Sequence, residues 1–103
     1  MTDFGVELEA RGEELWVLPT GDLDLAATPE LRETLSLALR SDAPAIVIDL
    51  RGLDFLDSTG LKALVDAHAG PEGQRVSFVR GGEIVEQVLT VSNLSDELRF
   101  RTP

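Results

Sequence analysis

The stretch AIVIDLRGLDFLDSTGLKALV, residues 45–65, decides how this chain folds. Its first four residues, Ala45-Ile46-Val47-Ile48, are apolar without interruption. A run apolar on both faces marks a central strand of a parallel sheet, which is covered on both sides. The other end of the stretch has a different period. Leu61, Leu64 and Val65 fall at i, i+3 and i+4, one face of a helix. Between the two lie a short bridge, Asp49 to Phe55, and the polar cluster Asp57-Ser58-Thr59-Gly60. The pattern predicts a buried strand, a connection, and a helix beginning near Ser58.

Upstream, Phe4, Val6 and Leu8 alternate with polar residues, the period of a half-buried strand. Gly12 marks a turn, and Leu15-Trp16-Val17-Leu18 reads as the second arm of a hairpin, with Pro19 at or near its end. Thr28 is placed as an N-cap and Pro29 as the first helical residue. Leu31, Leu35, Ala38 and Leu39 then form one helical face, and Asp42 and Pro44 stop the helix. Downstream, Gly70, Pro71 and Gly73 end the second helix, and Val76-Ser77-Phe78-Val79 reads as a strand. Gly81-Gly82 opens a third helix carrying Ile84, Val85, Val88 and Leu89, closed by Ser92-Asn93. Leu98 and Phe100 make a final strand. The order β-β-α-β-α-β-α-β predicts an α/β fold: a mixed, mostly parallel sheet of about five strands with three to four helices.

A chain of 103 residues with 43% apolar and 27% charged residues has the composition of one globular domain. The absence of cysteine excludes disulfides and thiol chemistry and fits a cytoplasmic protein. No apolar run approaches the roughly 20 residues of a membrane span, and the opening MTDFGVELEA lacks the pattern of a signal peptide. Nineteen acidic residues against nine basic ones give a net charge of −10. Such a field repels phosphate backbones and anionic lipid, which disfavours direct nucleic-acid binding and direct membrane insertion. It suits either plain solubility or a basic protein partner, and charge alone does not choose between them.

Functional groups in open sheets of this kind gather at the carboxyl ends of the strands. Gly21 to Asp24 follows the second strand and Asp57 to Gly60 the third, so both are expected at that edge. Asp, Ser and Thr at a helix start are capping chemistry, because their oxygens accept from unpaired amides. The same place exposes a hydroxyl that could carry a phosphate beside acidic neighbours. Local sequence leaves both readings open. Enzyme readings fare worse. An aspartic protease loop would not carry Ser58 between Asp57 and Thr59, nor lead into a helix. A serine hydrolase needs a base, and the one histidine, His68, lies ten residues from Ser58, about 15 Å along a helix. His68 is expected at the packing face. The G-x-S-x-G elbow is absent, and no histidine or cysteine cluster suggests a metal.

These residues resemble the STAS domain family, specifically the single-domain anti-sigma factor antagonists of bacteria. Gly21-Asp22-Leu23-Asp24 is similar to the family's G-E/D-L-D. The strand Ile46 to Leu50 with LDFLDSTGL resembles L-x-F-x-D-S-S/T-G-L. VLTVSNLSDELRF is similar to the family's late helix, small-residue pair and strand, although GGEIVEQ lacks the usual proline and Asn93 replaces a glycine. The likeness covers nearly the whole chain and implies a single STAS domain over residues 1–103. It implies a partner-switching regulator of transcription, not an enzyme, with no cofactor. Unphosphorylated, such a protein binds an anti-sigma factor of histidine-kinase-like ATPase fold and frees the sigma factor. That partner is also a serine kinase, whose phosphorylation of the antagonist blocks binding; a PP2C-type phosphatase reverses it. The acceptor maps onto Ser58. The partner surface maps onto Asp22, Asp24, Asp57, Ser58, Thr59, Gly60 and Lys62. The alternative is a STAS docking subunit of a membrane transporter or larger signalling complex without a phosphate cycle. A nucleotide-binding sensor is a third reading, against which stand the acidic site and the missing P-loop.

Overall fold

The computed structural model describes residues 2–103. Strands β1 (Gly5–Arg11) and β2 (Glu14–Leu23) form the expected hairpin, in register from Gly5 opposite Thr20 to Arg11 opposite Glu14. Strands β3 (Ala45–Asp49), β4 (Leu53–Leu56), β5 (Val76–Val79) and β6 (Phe100–Arg101) follow. The sheet runs β1-β2-β3-β5-β6, with β4 paired to β2 off this path; among the described residues only the β1–β2 pair is antiparallel. The sheet therefore has six strands, and the extra one, β4, lies in the segment that the sequence presents as a bridge.

That strand escaped the pattern for a physical reason. It has four residues, with Asp54 breaking its apolar run, and a 3₁₀ turn at Leu50–Gly52 separates it from β3. Strand β2 is long enough to serve both. Glu14–Val17 pairs with β3, and Gly21–Leu23 pairs with β4. Pro19 is thus inside β2 and not at its end. Having no N–H to donate, it sits in the gap between the two parallel ladders. The step from β3 to β4 is held by Asp49, which is 7% exposed. Its carboxylate accepts from Arg51 N at 3.0 Å and, in a fork, from Arg51 Nε at 3.0 Å and Nη2 at 2.8 Å. Burial works against its charge, but the Arg51 hydrogen bonds and charge outweigh this and hold the carboxyl below the usual range.

Helices α1 (Thr28–Arg40), α2 (Ser58–Ala69) and α3 (Glu83–Val91) share one core with the sheet. Leu31, Leu35 and Ala38 of α1, Leu61 and Leu64 of α2, and Val85 and Leu89 of α3 close over Val17, Ile46, Ile48, Val76 and Phe78. Val47 alternates to the other face, where it joins Trp16 and Val79. There the guanidinium groups of Arg11 and Arg101 lie 4.1 and 5.5 Å from the Trp16 ring, and Trp16 Nε1 donates to Glu14.

Several boundaries differ from expectation. Ala27, not Thr28, stands at the N-cap position of α1 and makes no side-chain capping bond; Thr28 is the first helical residue, and its hydroxyl donates to Asp24 O at 2.8 Å. Leu8 and Ile84 are exposed, and Leu39 is only partly buried. Leu98 is buried but precedes β6, ending a 3₁₀ turn at Ser95–Glu97. Asn93 does adopt a left-handed conformation after α3, with φ 60°.

Arg75 ties the end of α1 to the sheet. Its Nη1 donates to Ser41 O at 3.2 Å and Ala43 O at 2.6 Å, and its Nη2 to Leu39 O at 2.7 Å. Leu39 O is one of the carbonyls that the last turn of α1 leaves without a helical partner, and Ser41 O and Ala43 O belong to the connection that follows. Arg75→Met keeps the apolar stem but loses all three bonds. It is expected to cost about 1.5–3 kcal/mol, read as a lower urea midpoint with an unchanged slope.

Candidate functional site

Strands β2 and β4 run parallel with Leu23 opposite Leu56, so both chains leave the sheet at one edge. They remain in contact beyond it. Asp57 N donates to Leu23 O at 3.1 Å. Gly60, in the first turn of α2, rests on Leu23: a Cβ there would lie 2.5 Å from Leu23 Cγ and 3.0 Å from Leu23 O. Only a residue without a side chain allows the helix start to lie so close to β2. The GDLD and DSTG stretches are thereby brought together, by β4 and not by the β3 neighbourhood that the sequence suggested.

The polar residues opening α2 divide their work. Asp57 is the N-cap, with extended backbone, and its Oδ1 accepts from Thr59 N and Gly60 N, each at 3.0 Å. The Thr59 hydroxyl also donates to Asp57 Oδ1, at 2.6 Å, and lies 3.5 Å from the Thr28 hydroxyl of α1. Leu61 N is satisfied by Asp57 O at 2.9 Å. Burial opposes the charge on Asp57. Bonds from the Thr59 hydroxyl and from the N–H groups of Gly60 and Thr59 prevail and hold its carboxyl below the usual range. Ser58, the first helical residue, is exposed and contributes nothing to this set.

Asp22 lies within β2, not in a loop beyond it. A register shift separates it from Gly21, which has φ 80° and would drive a Cβ to 2.1 Å from Asp3 O. The segment at Thr2 closes over this bulge: Thr2 N donates to Asp22 Oδ2 at 3.0 Å, and Asp22 N to Thr2 O at 3.1 Å. Asp24 organises the link into α1, its Oδ1 accepting from Ala27 N at 3.0 Å. Lys62 stands one turn beyond Ser58 on α2, with Nζ 3.3 Å from both Asp66 oxygens. Asp66 also pairs with Arg32 of α1 at 3.1 Å, and Arg32 and Lys62 together lower its pKa. His68 packs at the other end of α2, its ring centroid 6.1 Å from that of Phe78. Among the described residues, no group of three or more His, Cys, Asp or Glu side chains could hold a metal ion. No helix there is long and apolar enough to cross a membrane.

One element of the site lies outside the sequence motifs. Helix α3 flanks Ser58, and Ile84, Val88 and Val91 face Ser58 and Leu61 across a groove of about 350 Å³. Sequence periodicity places Ile84, Val85, Val88 and Leu89 on α3 without separating core from surface. The available signal was the width of its apolar arc, which exceeds what the core takes.

A family model described as "Mlab, STAS domain" matches residues 6–100. The chain belongs to the STAS domain family. This STAS domain is 32% identical over 82 residues to the anti-sigma-F factor antagonist RsfB of Mycobacterium tuberculosis, covering 78% of this chain. The match spans 66% of RsfB, just under two thirds of its length. The crystal structure of an anti-sigma factor antagonist from Mycobacterium paratuberculosis has the same fold. Its TM-score is 0.86 at 24% identity, over 98% of this chain and 86% of that one. SpoIIAA of Bacillus in its phosphorylated form shares the fold too, with TM-score 0.65 and 22% identity over 97% and 92% of the respective chains.

Two substitutions test the geometry of this STAS domain. Asp57→Ala is expected to cost about 1 kcal/mol at neutral pH through loss of the cap. A carboxyl with a depressed folded pKa adds stability that is fully present above its unfolded value, about 3.9, and lost as pH falls through the folded value. The gap between wild type and Asp57→Ala should therefore be full at pH 7 and narrow below about pH 4 in urea titrations. Gly60→Ala should cost about 1–3 kcal/mol by overpacking against Leu23, seen in the same measurement.

Proposed function

We propose that this STAS domain is an anti-sigma factor antagonist whose binding is switched off by phosphorylation of Ser58. One observation carries the reading. Of the three polar side chains that open α2, those of Asp57 and Thr59 are committed to the cap, while that of Ser58 is exposed and outside it. The name of RsfB, an anti-sigma-F factor antagonist, supports the functional class. SpoIIAA, solved in unphosphorylated and phosphorylated forms, supports a fold able to carry such a modification.

The partner is an anti-sigma factor of histidine-kinase-like ATPase fold that is also the serine kinase. A PP2C-type phosphatase restores the binding form, and the cycle runs in the cytoplasm. The contact surface comprises Asp22, Asp24, Asp57, Ser58, Thr59, Gly60 and Lys62. Phosphate on Ser58 adds about −1.5 to −2 charges at pH 7. The amides of Thr59, Gly60 and Leu61, which would otherwise receive an anion at a helix start, already bond Asp57. The phosphate thus gains little internal stabilisation, and its charge falls on the face presented to the partner.

Ser58→Ala is expected to bind the cognate anti-sigma factor like the wild type and to take up no phosphate from kinase and ATP, by mass spectrometry of the intact chain. Phosphorylation of that variant to full stoichiometry would move the acceptor elsewhere. Ser58→Asp should weaken binding at least about tenfold by calorimetry, or about 1.4 kcal/mol. A docking subunit without a phosphate cycle would bind its partner equally well with either residue.

A further inference from the structure

Helix α3 presents more apolar surface than the core consumes. Val85 and Leu89 are fully buried beneath it. Ile84, Val88 and Val91, at i, i+4 and i+7, form a second stripe beside the first. Ile84 is 53% and Val91 78% exposed, two of the six large apolar side chains that the described residues leave open to solvent. Both line the α2–α3 groove, whose opposite wall is Ser58 and Leu61. A third, Leu25, follows two residues after Leu23, on which Gly60 of α2 rests, and so belongs to the same edge. Exposed apolar residues gathered around one groove mark an interaction surface, unlike single ones scattered over a protein.

Charge indicates what fills it. Asp57 and Glu83 immediately precede the lining residues Ser58 and Ile84, on a chain of net charge −10. The nearby cation on α2, Lys62, is engaged by Asp66. We propose that this groove is the apolar anchor point for the anti-sigma factor, receiving an apolar side chain from a segment of that partner flanked by basic residues. The inference rests on the antagonist reading and adds α3 to the contact surface. It also supplies a second route for the switch. Ser58 forms the rim, so a phosphate there would be stripped of water beneath the incoming apolar group, a cost that adds to any charge repulsion.

The experiment is calorimetry of the full chain against the cognate anti-sigma factor, with thermal unfolding as a control for folding. Ile84→Ser with Val91→Ser removes the stripe without changing charge; both side chains are largely exposed, so the fold should survive. Gln87→Trp fills the groove from its lining. Each is expected to weaken binding at least tenfold, whereas Leu37→Ser, at an exposed apolar position on α1, should bind like the wild type. Wild-type affinity for both groove variants, with Ser58→Asp still weakened, would overturn the groove and leave the antagonist reading standing. Equal loss in Leu37→Ser would overturn it too, by showing that the effect is not local. A wild-type chain that does not bind the anti-sigma factor would overturn both.

Discussion

Leu23 holds the edge of this protein together. Its carbonyl receives the Asp57 N–H, and its side chain lies under Gly60. That pair of contacts docks the start of α2 onto the end of β2, and much else follows. The core-facing residues Leu61 and Leu64 are set over the sheet because the helix starts there. A hydroxyl on the first turn is delivered to the carboxyl edge of the sheet, where connections are free to carry function.

The acidity of this edge also takes on a more specific meaning. Asp22, Asp24 and Asp57 look alike in sequence, but each has a separate structural commitment. Asp22 holds the segment at Thr2, Asp24 the turn into α1, and Asp57 the first turn of α2. Negative charge is concentrated here as a consequence of building the backbone. A regulatory phosphate placed on Ser58 would inherit that field. The same residues that shape the edge would then make the modified state electrostatically distinct, with no dedicated phosphate-binding group required.

Helix α3 shows how a partly committed element can serve two purposes. Nine residues long, it anchors itself through Val85 and Leu89 and leaves a neighbouring apolar stripe toward α2. Burying that stripe within the fold would require another element over the groove. Leaving it open places apolar surface beside the exposed Ser58 hydroxyl, and a charge added there would oppose contacts made through that surface.

Sequence alone determined what short-range rules govern. The period of 3.6 placed all three helices, uninterrupted apolar residues placed β3, and the hairpin followed from alternation around Gly12. The motif residues at Gly21 to Asp24 and Asp57 to Gly60 were legible as a group. Family resemblance singled out Ser58, but the local sequence could not apportion their roles, because a serine and a threonine at a helix start are chemically equivalent until a partner is placed. Tertiary structure separated them: Thr59 turns in toward Asp57 and Thr28, and Ser58 turns out. It also decided that β2 changes neighbours at Pro19, that β4 exists, and that Ile84 faces a groove and not the core. Each of these depends on which strand or helix lies alongside, a long-range pairing that no local period encodes.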